Sequence, residues 1–243
     1  MGAILQFINV NAGYGSVKIL KDLSFDVQES EVFGVIGPNG CGKTTMFNAL
    51  IGLIVPTGGC IVFGGHDITK TSPNTRCRNG IGRTYQVPRP FENMSVFENV
   101  LVAAVHGAGL HEKAAAAVCQ DALALTGLYE KREVHAGTLT LLDRKRLEIA
   151  RALGTQPRLL LLDEVAAGLT DAEVQDVMQL VSSLKASGQT IIWVEHVIQT
   201  MVNSTDRLMC MSDGHELLIG EPLAVMNSKE VEEVYLGVED DEE

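Results

Sequence analysis

The chain has 243 residues, enough for one large domain or two small ones with a sizeable core. Hydrophobic residues make up 46% and aromatics 5%, so the core is mostly aliphatic and suits a Val/Ile/Leu-rich parallel sheet covered by helices. The formal net charge of −12 argues against nonspecific nucleic-acid binding, and the five scattered cysteines (Cys41, Cys60, Cys77, Cys119, Cys210) contain no Cys-x-x-Cys pair, so a metal or redox motif has little support and reduced cytosolic thiols fit better.

Residues 4–10 and 19–27 alternate in polarity and are expected as strands, with Ala12-Gly13-Tyr14-Gly15 as the turn between them. Residues 32–36 are a continuous apolar run, expected as a buried strand that feeds a glycine-rich loop and a helix over 44–53. Pro56-Thr57-Gly58-Gly59 ends that helix, and 61–63 reads as a short strand. Pro88-Arg89-Pro90 is a stiff break, after which 96–105, 114–118, 120–128 and 143–153 read as helices. They form a helical insertion of roughly 50 to 60 residues. The α/β pattern resumes with a leucine strand at 159–162. A capping box, Thr170-Asp171-Ala172-Glu173, opens a helix with Val174, Val177, Met178, Val181 and Leu184 on one face. Strands follow at 191–194, 208–211 and 217–219, and the acidic run Glu239 to Glu243 reads as a solvated end. The N-terminus has no basic region and no stretch reaches 18 uninterrupted apolar residues, so neither an export signal nor a membrane span is expected, and any membrane role runs through a partner.

The most informative stretch is Gly37-Pro38-Asn39-Gly40-Cys41-Gly42-Lys43-Thr44-Thr45, which fits G-x-x-x-x-G-K-[ST] between a buried strand and a helix. Glycines let backbone N–H groups close around phosphate oxygens without Cβ atoms intruding. The helix beginning near Lys43 adds its positive N-terminal dipole. Lys43 is placed to reach the outer phosphates and the Thr44 hydroxyl to ligate Mg²⁺.

Asp163-Glu164 ends the leucine strand, where an Mg²⁺-supporting carboxylate belongs in a nucleotide-binding α/β sheet. Asp163 is expected to hold the metal through water and Glu164 to polarise the water that attacks the γ-phosphate. For Asp163 alone, a turn or capping role is equally open. His196 follows the 191–194 strand, on the edge where ligands collect. A lone histidine is more often structural or merely exposed, and Gln86, taken as lying at a strand end, reads by itself as a surface residue.

In this order the pieces resemble the ATP-binding subunit of an ABC transporter from Tyr14 to about Pro222. The residues that carry the likeness are Tyr14, the Gly37 to Thr45 loop, Gly82-Arg83-Thr84-Tyr85-Gln86, the segment from Leu139 to Arg151, Leu159 to Glu164, Ala167-Gly168-Leu169-Thr170 and His196. The resemblance implies an α/β P-loop NTPase core with an N-terminal antiparallel β subdomain and an inserted helical subdomain. It implies one cassette over 1–243, with a core at about 1–87 and 154–221, helices at about 88–153, and a C-terminal helix and acidic tail at about 222–243. It also assigns roles: Tyr14 stacks on adenine; Gln86 touches Mg²⁺ and the attacking water; His196 clamps the γ-phosphate; Ala167 to Thr170 lie across a dimer seam. The implied ligands are ATP and Mg²⁺. The implied partners are membrane permease subunits docked on the helical insertion, a second ATPase subunit and, indirectly, a substrate-binding protein, but no nucleic acid. The implied location is cytoplasmic, on the inner face of the cell membrane. Arg83-Thr84-Tyr85-Gln86, Met94 to Ala103 and Arg146 to Leu153 look most like the cassettes of branched-chain amino acid importers.

One departure is large. The family signature Leu-Ser-Gly-Gly-Gln corresponds here to Leu139-Thr140-Leu141-Leu142-Asp143. Both glycines are gone, and with them the close approach of backbone N–H groups to a partner's γ-phosphate, while Asp143 sets a negative charge near a triphosphate. The expectation is asymmetry: the site using this chain's phosphate loop and Glu164 hydrolyses ATP, the site using its signature is weak, and the partner is a different ATPase chain. Cys41, near a helix N-terminus, is expected either as small filler or as a thiol of lowered pKa whose alkylation blocks ATP binding.

Other classes fit less well. Soluble ABC ATPases of translation or DNA repair usually carry two cassettes or a long coiled coil, and this chain has one cassette and no sustained heptads. A P-loop nucleotide kinase leaves the Leu139 to Arg151 segment, Asp163-Glu164 and His196 together unexplained. A purely regulatory cassette suits the altered signature, yet Lys43, Glu164 and His196 are all present.

Overall fold

The computed structural model describes residues 2–236, so the acidic run Glu239 to Glu243 lies outside the described residues. The chain divides into two compact units, Met1–Arg76 with Ile192–Glu243, and Cys77–Ile191.

The first unit begins with two long strands, β1 (Ala3–Tyr14) and β2 (Val17–Gln28), paired antiparallel with Tyr14 opposite Val17. The turn is therefore Gly15-Ser16, not Ala12 to Gly15. Gly15 takes the left-handed conformation (φ 57°) that this tight reversal requires. β3 (Val32–Ile36) is buried along its whole length, as its unbroken apolar run predicts for a strand covered on both faces. It leads through the loop into α1 (Lys43–Leu50). β4 (Gly58–Phe63) pairs antiparallel with β1, and the two-residue β5 (His66–Asp67) pairs with β4. α2 (Pro73–Arg78) follows.

The second unit opens with β6 (Ile81–Arg83) and continues into α3 (Val96–Val102). Ser95 and Glu98 form a reciprocal capping box at the start of α3. A π-helical turn over Ala103–Gly107 ends the helix sooner than the expected 105. The alanine-rich stretches at 114–118 and 120–128 fuse into α4 (Glu112–Leu125), closed by Gly127 at φ 71°. α5 (Leu141–Gly154) packs with α3 and α4 around Val96, Val100, Cys119, Leu123 and Leu147. β7 (Leu159–Asp163), parallel to β6, is entirely buried, and α6 (Asp171–Ala186) starts at the Thr170/Glu173 capping box.

β8 (Thr190–Val194) carries the chain back into the first unit. There α7 (Ile198–Ser204) precedes β9 (Arg207–Ser212), which runs parallel to β3 and antiparallel to β10 (His215–Gly220). Two short helices, α8 (Pro222–Met226) and α9 (Lys229–Leu236), follow. Phe25 stacks between Phe7 (4.6 Å) and Phe33 (5.5 Å), tying the antiparallel sheet to the strand that carries the loop. Among the described residues, no helix is long and apolar enough to cross a membrane.

Candidate functional site

The phosphate loop belongs to the first unit. Gly37, Gly40 and Gly42 all have positive φ (148°, 81° and 111°). At Gly37 a Cβ would sit 2.3 Å from the Met211 carbonyl oxygen, so only glycine fits. At Gly40 a Cβ would meet nothing within 4 Å, so open space lies over the loop there. Gly42 is the N-cap of α1 and offers no side-chain acceptor, and the first turn contains no acidic residue. The leading N–H groups of α1 are therefore without a capping side chain, as an anion-binding helix start requires. Pro38 and Asn39 lead into Gly40 at the outer edge of the loop; Thr44 is exposed in the first turn of α1 and Thr45 is buried beneath it.

Lys43 is only 6% exposed, and its ammonium donates to the Gly37 carbonyl (2.6 Å) and the Pro38 carbonyl (3.0 Å). Its charge is thus held inside the loop. Tyr14, 53% exposed, accepts a hydrogen bond from the Asn48 amide of α1 (2.9 Å), leaving a ring available for stacking beside the loop helix. His196 is exposed in a bend past β8. The neighbouring Glu195 is buried and accepts from the Trp193 indole N–H (3.2 Å).

Cys41 departs from expectation. It is 4% exposed, and burial raises its thiol pKa above the ordinary value, outweighing Lys43 and the backbone donors, which pull the other way. The helix-start argument for a reactive thiolate therefore fails, and the small-filler role holds. Because the pKa is raised, the thiolate fraction at pH 8 is below that of a free cysteine. We expect Cys41 to react with iodoacetamide more slowly than half-buried Cys60, as peptide mapping of partly labelled protein can measure.

Two further residues of this unit were not foreseen, one at the far end of the loop helix and one against the first glycine of the loop. Arg76 is 1% exposed; it donates to the Ala49 and Leu50 carbonyls (2.6 and 2.7 Å) at the C-terminal end of α1 and to the Thr69 carbonyl (2.9 Å). Desolvation lowers its pKa to about 10, so it stays charged at neutral pH, against the negative end of the helix dipole. Tyr235 on α9 accepts the Gly37 backbone N–H, and burial raises its pKa well above the ordinary phenol value.

The acidic pair belongs to the second unit. Asp163, the last residue of β7, is buried and pairs with Arg83 of β6 (2.7 Å). Its backbone N–H donates to the Thr84 hydroxyl (3.1 Å). Glu164 stands just beyond the strand with φ 47°, a conformation that costs a non-glycine residue about 1–2 kcal/mol and persists only where its surroundings fix it. Its carboxylate accepts from the Gln86 side-chain amide (2.5 Å). Gln86 lies in an exposed loop three residues past the end of β6 rather than at a strand end. Gln86 and Glu164, 78 positions apart, are brought into one polar pair.

The segment from Leu139 to Asp143 forms the start of α5. Thr140 is its N-cap and accepts from the Asp143 N–H (3.2 Å). Leu141 and Leu142 occupy the first two helical positions, and Leu141 is exposed. The negative charge expected to face a triphosphate is instead buried: Asp143 is an ion-pair partner of Lys131 (2.5 Å).

The model of the ABC transporter family matches residues 20–167, and those residues span β3, the phosphate loop and β7 with its acidic pair. The chain belongs to the ABC transporter family. It is 34% identical to the high-affinity branched-chain amino acid transport ATP-binding protein BraF of Pseudomonas aeruginosa, over 96% of this chain and 98% of that protein. It is 33% identical to the lipopolysaccharide export system ATP-binding protein LptB of Acidithiobacillus ferridurans, over 98% of each. A crystal structure of the ADP conformation of an ATP-binding cassette of an ABC transporter matches with a TM-score of 0.90 at 30% identity, over 98% of this chain and all of that one. The α/β P-loop NTPase fold expected from the sequence is therefore the fold of this chain, and the chain is an ABC ATPase, a family whose members hydrolyse ATP to power transport.

Proposed function

We propose that this ABC ATPase powers uptake of a small hydrophobic solute, a branched-chain amino acid or a close relative, through membrane permease subunits. The observation that carries the ATPase chemistry is the Gln86–Glu164 pair at the end of β7, together with a phosphate loop whose three glycines take positive φ and whose helix start lacks a capping side chain. Support for the solute class comes from likeness to BraF. The likeness to LptB at almost the same identity favours a second reading, lipopolysaccharide export, because an ATPase that never touches the cargo records little about it.

In this reading the whole chain acts as one cassette on the inner face of the cell membrane, with the helices at about 88–153 facing the permeases. Gly37, Pro38, Asn39, Gly40, Cys41 and Gly42 present backbone to the phosphates; Lys43, Thr44 and Thr45 complete the grip; Tyr14 stacks on adenine. Mg²⁺ fits the donor set: a hydroxyl (Thr44) and an amide oxygen (Gln86) are hard oxygen ligands, the Asp163 carboxylate would support the ion through water, and phosphate and water would fill the remaining positions. Glu164 takes up the proton of the attacking water, Gln86 orients that water, and His196 contacts the γ-phosphate.

In this reading the partner ATPase is a different chain, because Leu141 and Leu142, at the first two positions of α5, would bring side chains where the proposed dimer needs backbone close to a γ-phosphate. In the purified complex with permeases and partner ATPase, Leu141→Gly with Leu142→Gly should raise ATP turnover severalfold, despite about 1 kcal/mol of helix propensity lost per glycine. Unchanged turnover would argue against asymmetry. Uptake of radiolabelled leucine into proteoliposomes, dependent on a substrate-binding protein, tests the cargo assignment; ATP-driven lipopolysaccharide extraction in its place would favour the second reading.

A further inference from the structure

We propose that Lys145 is a positioning residue for hydrolysis: its buried ammonium fixes the backbones of Gln86 and Glu164 so that their side chains meet. This rests on the hydrolytic reading of Glu164 given above. Lys145 lies in the second turn of α5 and is 2% exposed. Its ammonium donates to the Gln86 carbonyl (2.8 Å) and to the Glu164 carbonyl (2.9 Å). The same two residues share the side-chain hydrogen bond from Gln86 to Glu164. One cation therefore closes a ring that joins three segments far apart in sequence.

The physical need is specific. Glu164 sits at φ 47°, and a strained residue of this kind relaxes unless its neighbours hold it. On the helix side its carbonyl receives Lys145 and, more weakly, the Ala167 N–H (3.3 Å). Gln86 lies in an exposed loop, so a charge-assisted bond to its carbonyl is a strong local restraint. A lysine is suited to this because an ammonium directs its donors at carbonyls lying in different directions. Burying that charge is costly unless it is hydrogen-bonded, and the Gln86 and Glu164 carbonyls supply those bonds. The placement also links two functional segments of one chain. α5 starts at the Thr140-capped segment that faces a partner's nucleotide in the proposed dimer, and one turn later it grips this chain's own Glu164. Lys145 thus ties α5 to the Glu164 backbone.

The test uses Lys145→Met, which keeps length and removes the donors, and Lys145→Arg, which keeps charge and donors. In the purified complex, Lys145→Met should lower kcat about 10- to 100-fold, the scale of catalytic-group misplacement, with KM for ATP within about twofold. Lys145→Arg should recover a substantial part of kcat. Hydrogen exchange on the full chain should rise in peptides covering 84–90 and 163–168 of the methionine variant and stay unchanged over 32–50. An unchanged kcat, or exchange that rises throughout the chain while KM rises too, would overturn the proposal. Absence of ATP hydrolysis in the unsubstituted complex would instead count against the proposed function, and the exchange measurement would still decide the role of Lys145.

Discussion

Glu164→Gln should leave ATP binding nearly intact and lower kcat about 100- to 10,000-fold, the range associated with loss of a general base. The amide has the size and shape of the carboxylate and keeps an oxygen that can accept from Gln86, as the carboxylate does at 2.5 Å. It also leaves the Lys145 bond untouched, since that bond uses the backbone carbonyl. The negative charge and the capacity to take a proton are removed while shape is kept, so the loss falls on kcat with little change in KM. Phosphate release from the purified complex measures the first, and equilibrium binding of a fluorescent ATP analogue checks the second. A variant that hydrolyses ATP at more than about a tenth of the normal rate would show that the water is activated by another group.

The second large effect is expected at Lys43. Its ammonium makes two charge-assisted bonds within the loop, to the Gly37 and Pro38 carbonyls, and is almost wholly shielded from water. Lys43→Ala removes the cation that would meet the outer phosphates and at the same time leaves those carbonyls without their donor. Charged hydrogen bonds contribute about 1.5–3 kcal/mol each, so a loss of ATP affinity of about 100-fold or more is expected. Lys43→Arg should not restore it, because a planar guanidinium cannot replace a compact ammonium inside a closed loop. Titration with Mg-ATP, Mg-ADP and adenosine separates the effect. The first two should weaken strongly and adenosine should not, since it lacks the phosphates that Lys43 is proposed to meet.

Much of the fold was legible because its signals are local and long. Two alternating stretches of the N-terminal sheet, the unbroken apolar runs of β3 and β7, and the Thr170–Glu173 box all carry their cause in adjacent residues. The phosphate loop was legible because spacing alone brings its glycines and lysine together. What escaped was either too short or set by distant residues. β5 and β6 have two and three residues, too few to show a period. The turn was placed two residues early because Gly13 and Tyr14 read as loop formers, whereas pairing of Tyr14 with Val17 extends the strand. The local argument at Cys41 took account of a helix start and a lysine, and missed the burial that outweighs both. Arg76 and Lys145 carry no local mark at all. In sequence each is one cation among other polar residues; only the folded chain shows each of them buried and bonded to main-chain carbonyls that other segments bring within reach.

A crystal structure of the protein with Mg²⁺ and a non-hydrolysable ATP analogue tests the central claim most directly. The γ-phosphate should lie within hydrogen-bonding reach of the Lys43 ammonium, whose Nζ is placed beside the Gly37 and Pro38 carbonyls, and of the N–H groups at the start of α1. Nucleotide bound elsewhere, with no phosphate oxygen near Lys43, would contradict the account.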